Sequence, residues 1–256
     1  MAEWDAKDKI FLITGAASGL GALYAQAFLE QGAKNVAILD IAEELGKETA
    51  ERLNKAHGDK VVFIKCDVSK EEDITSAFDS VLAQFKQIDV IITNAGVMID
   101  APDTWRKAAD INFVSAQILS LQGVVSFTLK GVEHMRKDKG GVGGTIINIA
   151  STAALSKVPA FPVYCAAKMA VLHFSQCLSE APFYDNTGIR VLTISFGLTD
   201  TPLLHNLLEK VAAMVEMFRT GAPGSIWFSN ANKPVVNITQ VIEDVFTKDF
   251  RKLIGK

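Results

Sequence analysis

Tyr164 and Lys168 stand four positions apart, and Ser151 precedes the tyrosine by 13. On a helix, positions four apart share a face, so phenol and ammonium would point the same way. These groups suit proton transfer at an alcohol oxygen. A free tyrosine, with a pKa of about 10, is too weak an acid to ionise at neutral pH, and a neighbouring cation favours the phenolate. The Ser151 hydroxyl can donate to the same oxygen and hold it beside the phenol. In isolation a Tyr-x-x-x-Lys pair is ordinary helix-surface decoration, so its weight depends on its company.

That company begins near the N-terminus, with Thr14-Gly15-Ala16-Ala17-Ser18-Gly19-Leu20-Gly21. The run lies between a strand candidate and a helix candidate. Glycines there allow a tight turn and a close approach to a pyrophosphate, and the helix N-terminus offers free N–H groups and partial positive charge. Asp40, followed by Ile41, closes the next strand candidate, 19 residues after Gly21. A carboxylate at that point accepts hydrogen bonds from an adenosine ribose and repels the extra phosphate of NADP, and no Arg or Lys sits in the glycine loop. The pattern selects NAD. The other role open to Asp40 is to cap the helix that begins near Glu43.

The elements that must position these groups are legible as apolar runs. Strand candidates are Lys9–Thr14, Asn35–Asp40, Val61–Cys66, Asp89–Thr93, Thr145–Ala150, Arg190–Ser195 and Ile226–Ser229. Most are continuous Val- and Ile-rich segments, as expected of parallel strands buried on both faces. Helical stretches such as Leu20–Glu30, Glu43–Ala56, Glu71–Phe85 and Ala166–Ala181 alternate with them, which predicts an α/β fold with helices on both sides of a parallel sheet. Gly140–Gly144 reads as a helix-to-strand turn. No domain linker or repeat interrupts the chain, so residues 1–256 read as one domain.

The 256 residues carry a net charge of −3, with 49% hydrophobic and 21% charged residues, and no Lys/Arg run forms a basic patch. That disfavours nucleic acid or an acidic membrane as partner. No stretch approaches the ~18 uninterrupted apolar residues of a membrane span, and the N-terminus lacks a signal-peptide core. Three cysteines without CxxC spacing fit a reducing compartment, and no metal site is expected; the cytoplasm is the expected location.

The TGxxxGxG spacing, with Ser151, Tyr164 and Lys168, resembles the short-chain dehydrogenase/reductase family, from Ile10 to about Thr201. TGAASGLG and Pro162-Val163-Tyr164-Cys165-Ala166-Ala167-Lys168 look like its hydroxyprostaglandin dehydrogenase branch. Phe196-Gly197-Leu198-Thr199-Asp200-Thr201 looks more like the insect alcohol dehydrogenases. The resemblance implies a Rossmann-like, doubly wound, three-layer α/β/α fold with about seven parallel strands. It implies NAD-dependent hydride transfer between a secondary alcohol, or its ketone, and the nicotinamide. Tyr164 would be the acid/base, Ser151 would orient the substrate oxygen, and Lys168 would lower the tyrosine pKa and hold the nicotinamide ribose. Asn112 matches an asparagine that bends a helix and anchors a relay water.

For the cofactor, the resemblance implies Gly15, Ser18, Gly19, Leu20 and Gly21 at the phosphates, and Asp40 and Ile41 at the ribose. Cys66, Asp67 and Val68 would lie at the adenine, and Asn94, Ala95 and Gly96 after the fourth strand. Leu198 and Thr199 would line the nicotinamide pocket, with Thr201 at the carboxamide. Asp67 and Asn94 could equally be turn formers. Two departures stand out: Thr93 replaces the usual first asparagine of Asn-Asn-Ala-Gly, and Phe196 the usual proline, which loosens that turn slightly.

Residues 198–222 are expected to cover the substrate. Leu204, Leu207, Leu208 and Val211 form an apolar stripe within a helix over Leu203–Phe218, with Lys210 and Arg219 away from it. This favours an uncharged, apolar secondary alcohol; the stripe could instead pack on the core or on another subunit. Ala166–Ala181, apolar round much of its circumference, points to a homodimer or homotetramer. His173 reads as an interior residue, and Cys165 as a packing residue. A different class stays open beside the enzyme: a catalytically idle NAD-binding regulatory protein on the same fold.

Overall fold

The computed structural model describes residues 4–96, 112–197, 204–230 and 233–244, with backbone only for 112–120 and 204–206. The strands are β1 (Ile10–Thr14), β2 (Asn35–Asp40), β3 (Val61–Lys65), β4 (Val90–Thr93), β5 (Gly144–Ser151), β6 (Ile189–Phe196), β7 (Ile226–Ser229) and β8 (Val236–Asn237). The helices are α1 (Gly19–Glu30), α2 (Glu43–His57), α3 (Glu71–Phe85), α4 (Asn112–Met135), α5 (Pro162–Cys177), α6 (Ala181–Thr187), α7 (Leu204–Thr220) and α8 (Thr239–Glu243).

Strands of Val and Ile without polar alternation can only be stable with both faces covered. Every residue of β1, β4 and β6 is buried. Successive residues go to opposite faces. On one, Phe11, Ile13, Ile38, Ile92, Leu192 and Ile194 pack with Phe28 of α1 and Met214 and Phe218 of α7. On the other, Leu12, Leu39, Ile91 and Val191 pack with Phe78 of α3 and Phe127 of α4. Each such buried side chain contributes roughly 1.5–3 kcal/mol of transfer free energy, so neither layer can be stripped without losing the sheet.

The sheet order is β3-β2-β1-β4-β5-β6-β7-β8. All pairs are parallel except β7–β8, which is antiparallel. The expected seven parallel strands are present, and β8 is an addition: two residues cover the edge that β7 would otherwise expose. The order reverses between β1 and β4. Strand connections there leave in opposite directions and open a crevice at the carboxyl ends, where ligands of such sheets sit. The fold is thus a doubly wound, Rossmann-like α/β/α sandwich.

The expected helix Ala166–Ala181 needs correction at both ends. It starts at Pro162, because proline suits a first turn whose N–H groups have no intrahelical partner. It ends at Cys177, and the backbone breaks before α6, which has its own early proline. At the opposite end of the sheet, Arg190 is fully buried. Its guanidinium lies 3.9 Å from the centre of the Trp4 ring and donates to the Gly221 carbonyl at 2.8 Å. Among the described residues no helix is long and apolar enough to cross a membrane.

Candidate active site

The glycine turn begins where β1 ends. Gly15 and Gly19 have φ of 65° and 55°, a region that glycine enters without a Cβ clash. A Cβ on Gly21 would collide with the Gly15 carbonyl oxygen and lie 2.8 Å from the Asn94 amide nitrogen. The turn is held from three sides. From β2, Leu39 accepts from Gly15 N–H at 2.7 Å and Asp40 Oδ2 from Ala17 N–H at 3.0 Å. From α2, Thr49 donates to the Ala17 carbonyl at 2.7 Å. After β4, Asn94 Nδ2 donates to the carbonyls of Thr14 at 3.1 Å and Gly15 at 2.9 Å, while Ala95 N–H donates to Thr14 Oγ1 at 3.0 Å. Ser18 makes no side-chain cap, and the first turn of α1 has no acidic residue. The uncapped helix end therefore keeps donors and positive potential for an anion, as a dinucleotide pyrophosphate requires.

Asp40 and Asp67 border this turn. Asp40 Oδ1 also accepts from Ala42 N–H at 3.0 Å, whereas the N-cap position of α2 is Ala42 itself. Asp40 therefore organises the turn before α2 and the glycine turn together. Ile41 beside it is 61% exposed. Asp67 Oδ1 accepts from Ser69 N–H at 3.0 Å; hydrogen bonding from the Ser69 side chain, then from that N–H, aided by Lys70, holds its carboxyl below the usual range. Cys66 is buried, and desolvation followed by the charges of Asp73, Asp67 and Asp40 pushes its thiol up to about 12. That thiol stays protonated and packs. Val68 is crossed closely by α4, where a Cβ on Gly123 would sit 2.9 Å from Val68 Cβ.

The second group lies at the same, carboxyl end of the sheet. Ser151 ends β5, buried, with Oγ accepting from Ala153 N–H at 3.2 Å and lying 3.5 Å from the Phe196 carbonyl. The first two turns of α5 carry Tyr164 and Lys168. Lys168 Nζ donates to the Ile149 carbonyl at 2.9 Å and lies 5.8 Å from the centre of the Tyr164 ring. Burial pushes its ammonium down from 10.5 to about 8. Gly96 lies close by: a Cβ there would stand 3.8 Å from Nζ, an ordinary contact distance. Asn112 opens α4, but its side chain lies outside the described residues, as do Leu198, Thr199 and Thr201.

In the expected apolar stripe of α7, Leu208 is 54% exposed, while Val211 packs against the α1–α7 core, the second of the two roles open to that stripe. The inward face of α7 is Ala213, Met214, Met217 and Phe218. Lys210 is partly buried, with Nζ 5.4 Å from the centre of the Phe196 ring; burial lowers its pKa. One expectation fails: His173 is exposed rather than interior. Periodicity ranks faces by apolarity and does not say which neighbour each meets. Thr49 and Gly123 were not singled out from sequence, because a single threonine or glycine inside a helix pattern carries no local signal.

A family model described as short chain dehydrogenase matches residues 9–212. The chain is 37% identical over 200 residues to 15-hydroxyprostaglandin dehydrogenase (NAD(+)) of Bos taurus, covering 78% of this chain and 71% of that protein. It is 35% identical over 196 residues to alcohol dehydrogenase 2 of Ceratitis capitata, covering 75% and 71%. Among solved structures, 3-ketoacyl-(acyl-carrier-protein) reductase from Brucella melitensis complexed with NADH superposes with a TM-score of 0.71 at 24% identity, over 89% of this chain and 98% of that one. NADPH-dependent 3-quinuclidinone reductase from Rhodotorula rubra gives 0.72 at 26%, over 88% and 91%.

Proposed function

Because this chain belongs to the short-chain dehydrogenase family, we propose that it is an NAD-dependent alcohol dehydrogenase acting on secondary alcohols, with Tyr164, Ser151 and Lys168 at the reacting oxygen. The observation that supports the reading is the occurrence, at one end of the sheet, of an uncapped α1 N-terminus, the Asp40 carboxylate, Ser151 at the end of β5, and Lys168 bonded to the Ile149 carbonyl of that strand with Tyr164 on the same helix. The relative from Bos taurus is named for NAD(+). The superposed reductases are named with NADH and with NADPH, so the shared fold leaves cofactor choice to local residues. Asp40 makes that choice here, in favour of NAD.

The glycine turn from Gly15 to Gly21, with Ser18 and Leu20, would hold the pyrophosphate. Asp40 and Ile41 would meet the adenosine ribose, and Cys66, Asp67 and Val68 the adenine. Asn94, Ala95 and Gly96 shape the floor, with Leu198, Thr199 and Thr201 assigned to the nicotinamide end. Bound NAD supplies the hydride acceptor. Tyr164 takes the alcohol proton at its phenolic oxygen, and the Ser151 hydroxyl donates to the same substrate oxygen and fixes its distance. Lys168, still largely cationic at neutral pH with a pKa of about 8, favours the phenolate electrostatically and can hold the nicotinamide ribose. Asn112 is assigned to the relay that carries the proton away.

We read residues 1–256 as one domain, with 198–222 covering the substrate, and the half-exposed apolar surface of α5 as an oligomer contact. Formation of NADH from secondary alcohols of increasing chain length, with a hydroxy acid in the same panel, tests the substrate class. Each well-buried methylene should raise kcat/KM until the pocket is full, by at most about 0.8 kcal/mol. A flat series would count against an apolar lid, and preference for the acid would point to a cation such as Lys210 instead. No turnover with NAD bound would favour the regulatory reading.

A further inference from the structure

α5 carries Tyr164 and Lys168, yet little of that helix is buried. Only Val171, Leu172 and Ser175 are, all C-terminal to the two site residues. Tyr164 lies 11 residues from Ser175, or about 16 Å at 1.5 Å per residue. A tilt of about 5° about that anchor would carry the phenol through more than ~1 Å, and a misplacement of that order can cost about 100-fold in rate. Apolar contacts alone fix such an angle poorly, because they are not directional.

A buried polar chain supplies the direction. Asn148, fully buried in the middle of β5, donates through Nδ2 to Ser175 Oγ at 2.9 Å. Ser175 donates its own proton to the Val171 carbonyl at 2.8 Å, so toward Asn148 it can only accept. That fixes the amide: Oδ1 faces the other way and accepts from Thr93 at 2.8 Å and Thr128 at 3.2 Å. Both lone pairs of Oδ1 are filled, and Ser175, Thr93 and Thr128 are themselves buried. One side chain thus ties β4, β5, α4 and α5, with Thr93 Oγ1 closer to Asn148 Oδ1 than to its other acceptor, the Ile147 carbonyl at 3.4 Å. Three residues further along β5 is Ser151, and the adjacent Ile149 carbonyl holds Lys168 at 2.9 Å. Thr93, the residue that departs from the family's Asn-Asn-Ala-Gly, belongs to this chain through its hydroxyl.

We propose that Asn148 is a positioning residue, acting through Ser175 to set the tilt of α5 on β5 and so the placement of Tyr164 and Lys168 against Ser151. The proposal rests on the function given above for those three residues. Its test compares Asn148→Ala, Ser175→Ala and the double variant for turnover of a secondary alcohol, NAD affinity and amide hydrogen exchange over residues 162–168. The expected result is a 10- to 100-fold fall in kcat in each single variant, no further fall in the double, and KM and NAD affinity within about twofold. Exchange over 162–168 should quicken while that of β1 and β6 holds. Should Asn148→Ala fail to fold, Thr93→Val should lower kcat and Thr93→Ser restore it.

If the unaltered protein turns over no alcohol, the functional reading fails, and the exchange data still decide whether Asn148 holds α5. Unchanged exchange over 162–168, additive effects, or a loss spread equally over kcat, KM and the whole sheet would overturn the proposal.

Discussion

Replacing Lys168 with methionine should abolish turnover and stabilise the fold. The ammonium has one described hydrogen bond, to the Ile149 carbonyl at 2.9 Å, and burial lowers its pKa from 10.5 to about 8. At 1.36 kcal/mol per pKa unit, keeping the proton in the folded state costs about 3 kcal/mol at neutral pH, an upper bound because the side chain keeps partial solvent contact. Methionine keeps a stem of similar length without the charge. A gain of about 1–2 kcal/mol is expected, or a rise in Tm of some 2–8 °C for a chain of this size. The gain must depend on pH. Between about 8 and 10.5 the folded protein has released this proton while the unfolded chain still binds it, so the stability of the unaltered protein rises with pH across that window. The difference between the two proteins therefore shrinks above pH 8. Thermal unfolding of both from pH 7 to 10 measures it. A less stable Lys168→Met variant, or a gap that does not change with pH, would refute the reasoning.

Asp40→Ala and Asp40→Asn should both raise the NADP/NAD ratio of kcat/KM at least about tenfold, since a like charge at ~4 Å costs a few kcal/mol at intermediate dielectric. Only Asp40→Ala should also lose about 1 kcal/mol of stability, because the amide keeps one acceptor for Ala17 or Ala42 N–H; equal unfolding midpoints would contradict that. Gly21→Ala should lower NAD affinity at least tenfold while an unrelated helix substitution does not, since its Cβ meets backbone at Gly15; calorimetric titration gives the value. His134 accepts Ile88 N–H on Nε2 at 3.3 Å, and burial, partly opposed by Asp89, holds its pKa below 6.5. The unfolded chain binds a proton there first, so stability should fall as pH drops from about 7, and His134→Gln should flatten that slope.

Much of the fold was readable because parallel strands buried on both faces leave unbroken Val and Ile runs. Asn35–Asp40 and Ile226–Ser229 were bounded to the residue. The start of α5 was missed because Val163 and Tyr164 are weak helix formers, although Pro162 marks a first turn. β8 was illegible, being two residues whose pairing depends wholly on β7. The glycine turn and the Tyr164–Lys168 spacing are local patterns, so sequence reveals them. Asn148 gives no such sign: its partners lie 20 to 55 residues away, and in sequence it is one polar residue in an apolar strand.

The central claim is hydride transfer to NAD with Tyr164 handling the proton. A secondary alcohol deuterated at its carbinol carbon should, with the unaltered protein, deliver that deuterium to the nicotinamide, seen by mass spectrometry of the reduced cofactor. Tyr164→Phe should bind NAD with affinity within about twofold of the unaltered protein and transfer no label above background. Label transfer by the phenylalanine variant at a comparable rate would contradict the account, as would NADH formed without deuterium by the unaltered protein.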